Sequence, residues 1–130
     1  MVIDKGKAIE NALNDLKMSS SDILGAAVVS LDGLMIASYL PVRNVDPEGV
    51  GAMSAALLGL SRKAAEALRL GEFREVYIKS NEGMIHLYAV SSEGVLAVLT
   101  RQDANIGMVN LESRRVAKQV GEILSGRAGF

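Results

Sequence analysis

The sequence has no cysteine and no tryptophan, one histidine, and only two prolines in 130 residues. Without cysteine, disulfides, thiolate metal sites and cysteine nucleophiles are excluded, and a reducing, cytoplasmic compartment is the expected location. Two Phe and three Tyr are the only aromatics, too few for the stacking platforms of single-strand nucleic-acid binders. Neither sign of charge is in excess: 14 Lys and Arg stand against 15 Asp and Glu, which leaves no lopsided field to draw a polyanion. Nucleic acid is therefore not an expected partner. No apolar run approaches the roughly 20 residues that span a bilayer, so membrane insertion is not expected. The N-terminus reads as amphipathic helix rather than signal peptide, and no Asn-x-Ser/Thr sequon suggests secretion.

What the chain does have is apolar content, 49% of its residues. That suits a single domain spanning residues 1–130, with a frayed end from about 125 to 130. A domain of this size buries only about two-thirds of the surface its unfolded chain exposes, so self-association would add useful burial.

Helical spacing places Val2, Ile9, Ala12, Leu13 and Leu16 on one stripe, and the Ser-rich segment after Met18 stops that helix. Two apolar runs, Ala26 to Leu31 and Leu34 to Tyr39, flank Asp32-Gly33 and predict a hairpin with a type I′ turn. Both strands are apolar enough to be covered on both faces, which calls for helices on both sides of the sheet. Asp46-Pro47-Glu48 reads as N-cap, first-turn proline and dipole-matched acid. The helix it opens has Val50, Met53, Leu57, Leu60, Ala64 and Leu68 as its principal stripe and Gly71 as its C′ residue. Strands are expected over Phe73–Lys79, Met84–Val90 and Val95–Thr100, joined by short turns into an antiparallel meander. A last helix carries Val109, Val116, Ala117, Val120, Ile123 and Leu124 on its inner face. The order α-β-β-α-β-β-β-α gives an α/β (α+β) fold: a single five-stranded, mostly antiparallel sheet with helices on both faces.

The second helix is unusual in that Ser54 is its only polar side chain from Gly49 to Leu60. A helix apolar all round is expected to be buried on two sides, with Gly51, Ala55 and Gly59, at i, i+4 and i+8, admitting another backbone closely.

Chemistry is scarce. His86 sits mid-strand among apolar neighbours and reads as structural rather than catalytic. Gly49-Val50-Gly51 lacks the last glycine of a dinucleotide loop, where Ser54 stands, and Gly-Lys-Ser/Thr of a P-loop is absent. Asp32, Glu82 and Glu93 lie beside turn glycines and are accounted for by the turns. No catalytic residue, cofactor or metal is expected.

Three segments carry a resemblance: Leu24 to Leu34 (LGAAVVSLDGL), Met53 to Leu60 (MSAALLGL), and Asn105-Ile106-Gly107-Met108 leading into the last helix. Together with the order of elements, over nearly the whole chain, they resemble the roadblock/dynein light chain family of the roadblock/longin-like superfamily. The resemblance implies a roadblock/profilin-like fold. It also implies a homodimer in which the second helices lie side by side and the third strands, at Arg74, Val76 and Ile78, pair across the dyad. It further implies company with Ras-like small GTPases, as in bacterial polarity regulators, lysosomal scaffolds and dynein subunits. The expected function is thus a non-catalytic regulator or scaffold that biases a GTPase's nucleotide cycle. Met53, Leu58, Arg62, Glu66 and Arg69 are the candidate contacts, chosen by position and chemistry. The alternative is a structural adaptor, a motor-type light chain indifferent to nucleotide state.

Overall fold

The structure is a computed structural model that describes residues 4–43 and 45–126. Val2 of the first stripe, Asn44, and residues 127–130 of the expected frayed end lie outside the described residues.

Three helices begin where side-chain oxygens meet orphan backbone N–H groups. The Asp4 carboxylate accepts from Lys7 N at 3.1 Å and opens α1 (Lys5–Met18). Asp46 accepts from Glu48 N at 3.1 Å and opens α2 (Pro47–Ala67). Asn105 accepts from Met108 N at 3.1 Å and opens α3 (Ile106–Ser125). Ser125 is thus still helical, and Gly126 caps the helix in the left-handed region at φ 75°, so order persists to the last described residue.

Between these helices run β1 (Ile23–Ser30), β2 (Met35–Tyr39), β3 (Glu75–Lys79), β4 (Met84–Val90) and β5 (Gly94–Thr100). They form one sheet in the order β2-β1-β5-β4-β3, and each of the four pairings is antiparallel. The last three strands form the expected meander, and β5 returns to lie against β1. β2 and β3 are left as the two edges.

α1 and α3 cover one face of the sheet and α2 the other. The first core joins Ile9, Leu13 and Leu16 of α1 and Val116, Val120 and Ile123 of α3 to Val28, Leu96 and Val98. The second is smaller: Val50 and Leu58 of α2 over Ala27, Val29, Leu87, Val95 and Ala97. Each Leu or Ile fully buried this way contributes about 1.5–3 kcal/mol relative to exposure.

Four expectations need correction. The Asp32-Gly33 hairpin forms, but only Gly33 has positive φ, at 87°. Gly33 N donates to Ser30 O at 3.1 Å, and Ser30 N to Leu34 O at 2.9 Å. The turn is a type I turn closed by a left-handed glycine, not type I′, because the loop is longer than two residues. β2 is half-buried rather than covered on both faces, since it lies at an edge. α2 is closed not by Gly71 but by Arg69, at φ 54°: Arg69 N donates to Glu66 O and Leu70 N to Ala65 O, a Schellman pair. Finally, the inner face of α2 is Val50, Gly51, Ser54 and Leu58, not the stripe through Met53, Leu60, Ala64 and Leu68, which points away from the chain's own sheet.

A candidate protein-protein interface

α2 is buried on one side only. Met53, Leu60 and Leu68 are 66, 67 and 68% exposed, and Ala52, Ala56, Ala64 and Ala67 share the bare surface with them. A surface helix normally turns polar side chains to water, and a contiguous apolar face of this kind marks an interface.

The packing of α2 fixes which way its flanks look. A methyl on Gly51 would stand 2.8 Å from the Gly33 carbonyl oxygen, and one on Gly33 would stand 3.4 Å from Ala55 Cβ. The Gly51 and Ala55 side of the helix therefore sits on the chain's own β1–β2 turn. With 100° per residue, Gly59, Arg62 and Glu66 continue this flank, toward β2, while Met53, Leu57, Leu60 and Ala64 form the opposite flank, toward β3. Leu57 packs at the margin of the second core, as do Phe73 and Val76 beside and within β3 and Ile85 of β4.

These placements revise the candidate set. The close approach at Gly51 and Ala55 is to the chain's own hairpin, so neither is free to admit a partner's backbone. Gly59 is exposed, with nothing within 4 Å of a Cβ placed on it, but on the flank remote from β3. Leu58 is 2% exposed and belongs to the second core, so it drops out as a partner contact. Its apolar neighbours on every side had hidden which face was inward. Arg62 is half-buried; Glu66 and Arg69 are exposed.

β3 presents the second open surface. Only Val76 of its five residues is half-buried and the other four are exposed, and one edge of the strand has no partner among the described residues. Arg74 precedes it, and its carbonyl accepts from Ala89 N at 2.9 Å. Val76 and Ile78, opposite Leu87 and Ile85, share the α2 face of the sheet, so the strand edge and the apolar flank of α2 look the same way.

On the other face β3 is held firmly. Glu75 accepts from Arg114 of α3 through both carboxylate oxygens, Nη2 to Oε1 at 2.8 Å. The Arg114 hydrogen bond lowers the Glu75 carboxyl below the usual carboxylate range, against the opposing effect of burial. Beside it Tyr77 stacks on His86 and His86 on Tyr88, with ring centroids 5.7 and 6.4 Å apart. His86 Nε2 lies 3.1 Å from Thr100 Oγ1, Nδ1 has no partner among the described residues, and burial pushes the imidazole pKa down. Burial likewise raises the Tyr88 phenol to about 12, and its hydroxyl donates to Asn110 Oδ1 at 2.7 Å. His86 is thus a neutral ring wedged in a strand layer. No group of three or more His, Cys, Asp or Glu among the described residues is placed to hold a metal ion. Tyr77, Leu60 and Leu68 are the surface residues sequence reasoning missed or placed inward; alternation along β3 points to Tyr77, but nothing in an all-apolar helix singles out the two leucines.

Comparison with known proteins agrees with this architecture. An uncharacterized protein of Methanocaldococcus jannaschii, MJ1340, is 35% identical over 112 residues, 86% of this chain and 96% of that protein. Among solved structures, Myxococcus xanthus MglB superposes with a TM-score of 0.87 at 17% identity, covering 98% of this chain and 96% of that one. The gliding protein MglB of Thermus thermophilus does so with a TM-score of 0.82 at 13% identity, covering 95% and 93%. The sequence signature of the Roadblock/LC7 domain matches residues 10–100, most of the chain and all five strands, and the chain belongs to that family.

Proposed function

We propose that the chain acts as a homodimer that binds a Ras-like small GTPase in the cytoplasm and biases its nucleotide cycle without itself catalysing a reaction. The observation that carries the self-association is the coincidence of two unmet surfaces: the apolar flank of α2, through Met53, Leu60 and Ala64, is exposed on the face of the sheet that α2 covers, and the outer edge of β3 is unpaired among the described residues. A twofold axis beside β3 covers both at once, pairing strand with strand at Val76 and Ile78 and helix with helix. This moves Met53 from the GTPase contacts to the dimer seam and takes Gly51, Ala55 and Gly59 out of it.

Arg62 and Glu66 lie on the other flank and Arg69 at the end of α2, so dimerisation through Met53 and Leu60 leaves them open. They form the surface offered to the GTPase, where charged rims set partner choice and association rate. A regulator must bind the two nucleotide forms with different free energies, since equal affinity shifts nothing.

The test is binding of a Ras-like GTPase loaded with GDP or with a non-hydrolysable GTP analogue to the wild-type chain and to an Arg62→Glu, Glu66→Arg double variant. The regulator reading predicts preference for one nucleotide form and loss of at least tenfold in affinity in the variant. Equal affinity for both forms would assign the chain instead to structural adaptors, and no binding in either form would end the GTPase reading.

A further inference from the structure

We propose that the other edge of the sheet, β2, is a docking site for an extended segment of a different protein, which adds as a sixth strand in the groove between β2 and α1. The occupant's class follows from the edge itself. Among the described residues β2 pairs only with β1, so its outer side presents backbone N–H and C=O groups at strand spacing, which another extended backbone satisfies.

The two edges differ in how they are guarded. β3 carries Glu75 and Lys79 with Arg74 just before it, whereas no charged residue occurs from Gly33 to Val42. Charges on an edge select among partners: β3 favours a strand that sets opposite charges against Glu75 and Lys79, as a twofold copy of itself would, whereas β2 imposes no such condition. Leu34, at the entrance to the strand, is 68% exposed.

Beside this edge runs a groove of about 390 Å³, with Met35, Ile36, Ala37 and Ser38 as one wall and, on the other, Asp4, which caps α1, with Lys7 and Glu10 of α1. Four consecutive strand residues line it, so the groove follows the strand edge. Glu10 takes part in none of the ion pairs among the described residues. Lys7 is equally unpaired, but with Asp4 and Glu10 the wall carries two carboxylates to one ammonium, and that net negative charge favours a basic side chain on the incoming segment, which otherwise places apolar residues at alternate positions.

A second copy of this chain is the wrong occupant, and this step rests on the dimer reading. If β3 already pairs across a twofold axis, twofold pairing through β2 as well would join dimers into an open ribbon rather than a closed assembly. A heterologous strand ends the sheet.

The test uses the full chain, isotope-labelled, titrated with an acetylated heptapeptide of alternating Val and Lys, and with the same peptide N-methylated along one edge. The expected result is chemical-shift change and slowed amide exchange over Met35–Tyr39 and at Glu10, absent with the methylated peptide. Glu10→Lys should weaken binding by up to about fivefold, the range of an exposed ion pair. Shifts confined to β3, or none anywhere, would overturn the proposal. The mass of the peptide-free chain is measured in the same samples: a single-chain mass would sink the dimer reading, while β2 shifts would still stand.

Discussion

At the scale of single residues, Gly51 and His86 show how little room this small domain leaves. Gly51 is required by the Gly33 carbonyl 2.8 Å from where its Cβ would be, a backbone atom that cannot swing aside. Gly51→Ala should therefore destabilise the fold by about 1–3 kcal/mol, the cost of overpacking, read as a lowered thermal midpoint. His86 makes a prediction in pH. Its folded pKa lies below the ordinary 6.5 because burial disfavours the charged ring. The unfolded chain then takes up the proton first, so the stability contributed by the neutral ring is fully present above 6.5 and is lost as pH falls through and below that value. Urea midpoints measured between pH 8 and 5.5 should fall with pH in the wild type and fall less in His86→Phe. A midpoint independent of pH in the wild type would contradict the buried, neutral assignment. The sequence singled out His86 as structural from its apolar neighbours, but its stacking with Tyr77 and Tyr88 depends on strand register, which spacing alone does not reveal.

At the scale of elements, α2 was the most legible and the most misleading. Its start was plain because Asp46 and Pro47 act locally. Its end was not: Gly71 stood ready as a C′ residue, yet the helix closes two residues earlier on Arg69, because the Schellman bonds from Arg69 and Leu70 form first. A left-handed arginine costs roughly 1 kcal/mol relative to glycine. Arg69→Gly should thus raise the thermal midpoint while weakening GTPase binding, since the side chain lies on the surface assigned to the partner. A midpoint unchanged or lowered would contradict the strain at Arg69, and unchanged binding would contradict its place on the proposed partner surface. The inward face of α2 was illegible for a different reason. Periodicity reports direction only when one side is polar, and here Ala, Leu and Met surround the axis. α1 and α3, with clean polar faces, were read correctly in their described parts.

At the scale of the whole molecule, strand alternation and short turns made the five-stranded sheet and its element order readable from sequence, whereas the insertion of β5 between β1 and β4 is a matter of long-range pairing. The same topology leaves two edges of unlike charge, for which unlike tasks are proposed: β3 for a copy of the chain, β2 for a foreign strand. All of this turns on whether the apolar flank of α2 is a dimer seam. The most direct measurement is the solution mass, by sedimentation equilibrium, of the wild-type chain beside Leu60→Glu. Leu60 is largely exposed in the single chain, so the substitution leaves the protomer fold intact, which circular dichroism verifies. The account predicts twice the 13.8 kDa chain mass for the wild type and the single-chain mass for a folded Leu60→Glu. A wild type that stays at the single-chain mass at high micromolar concentration, or a variant that remains fully dimeric, would contradict it.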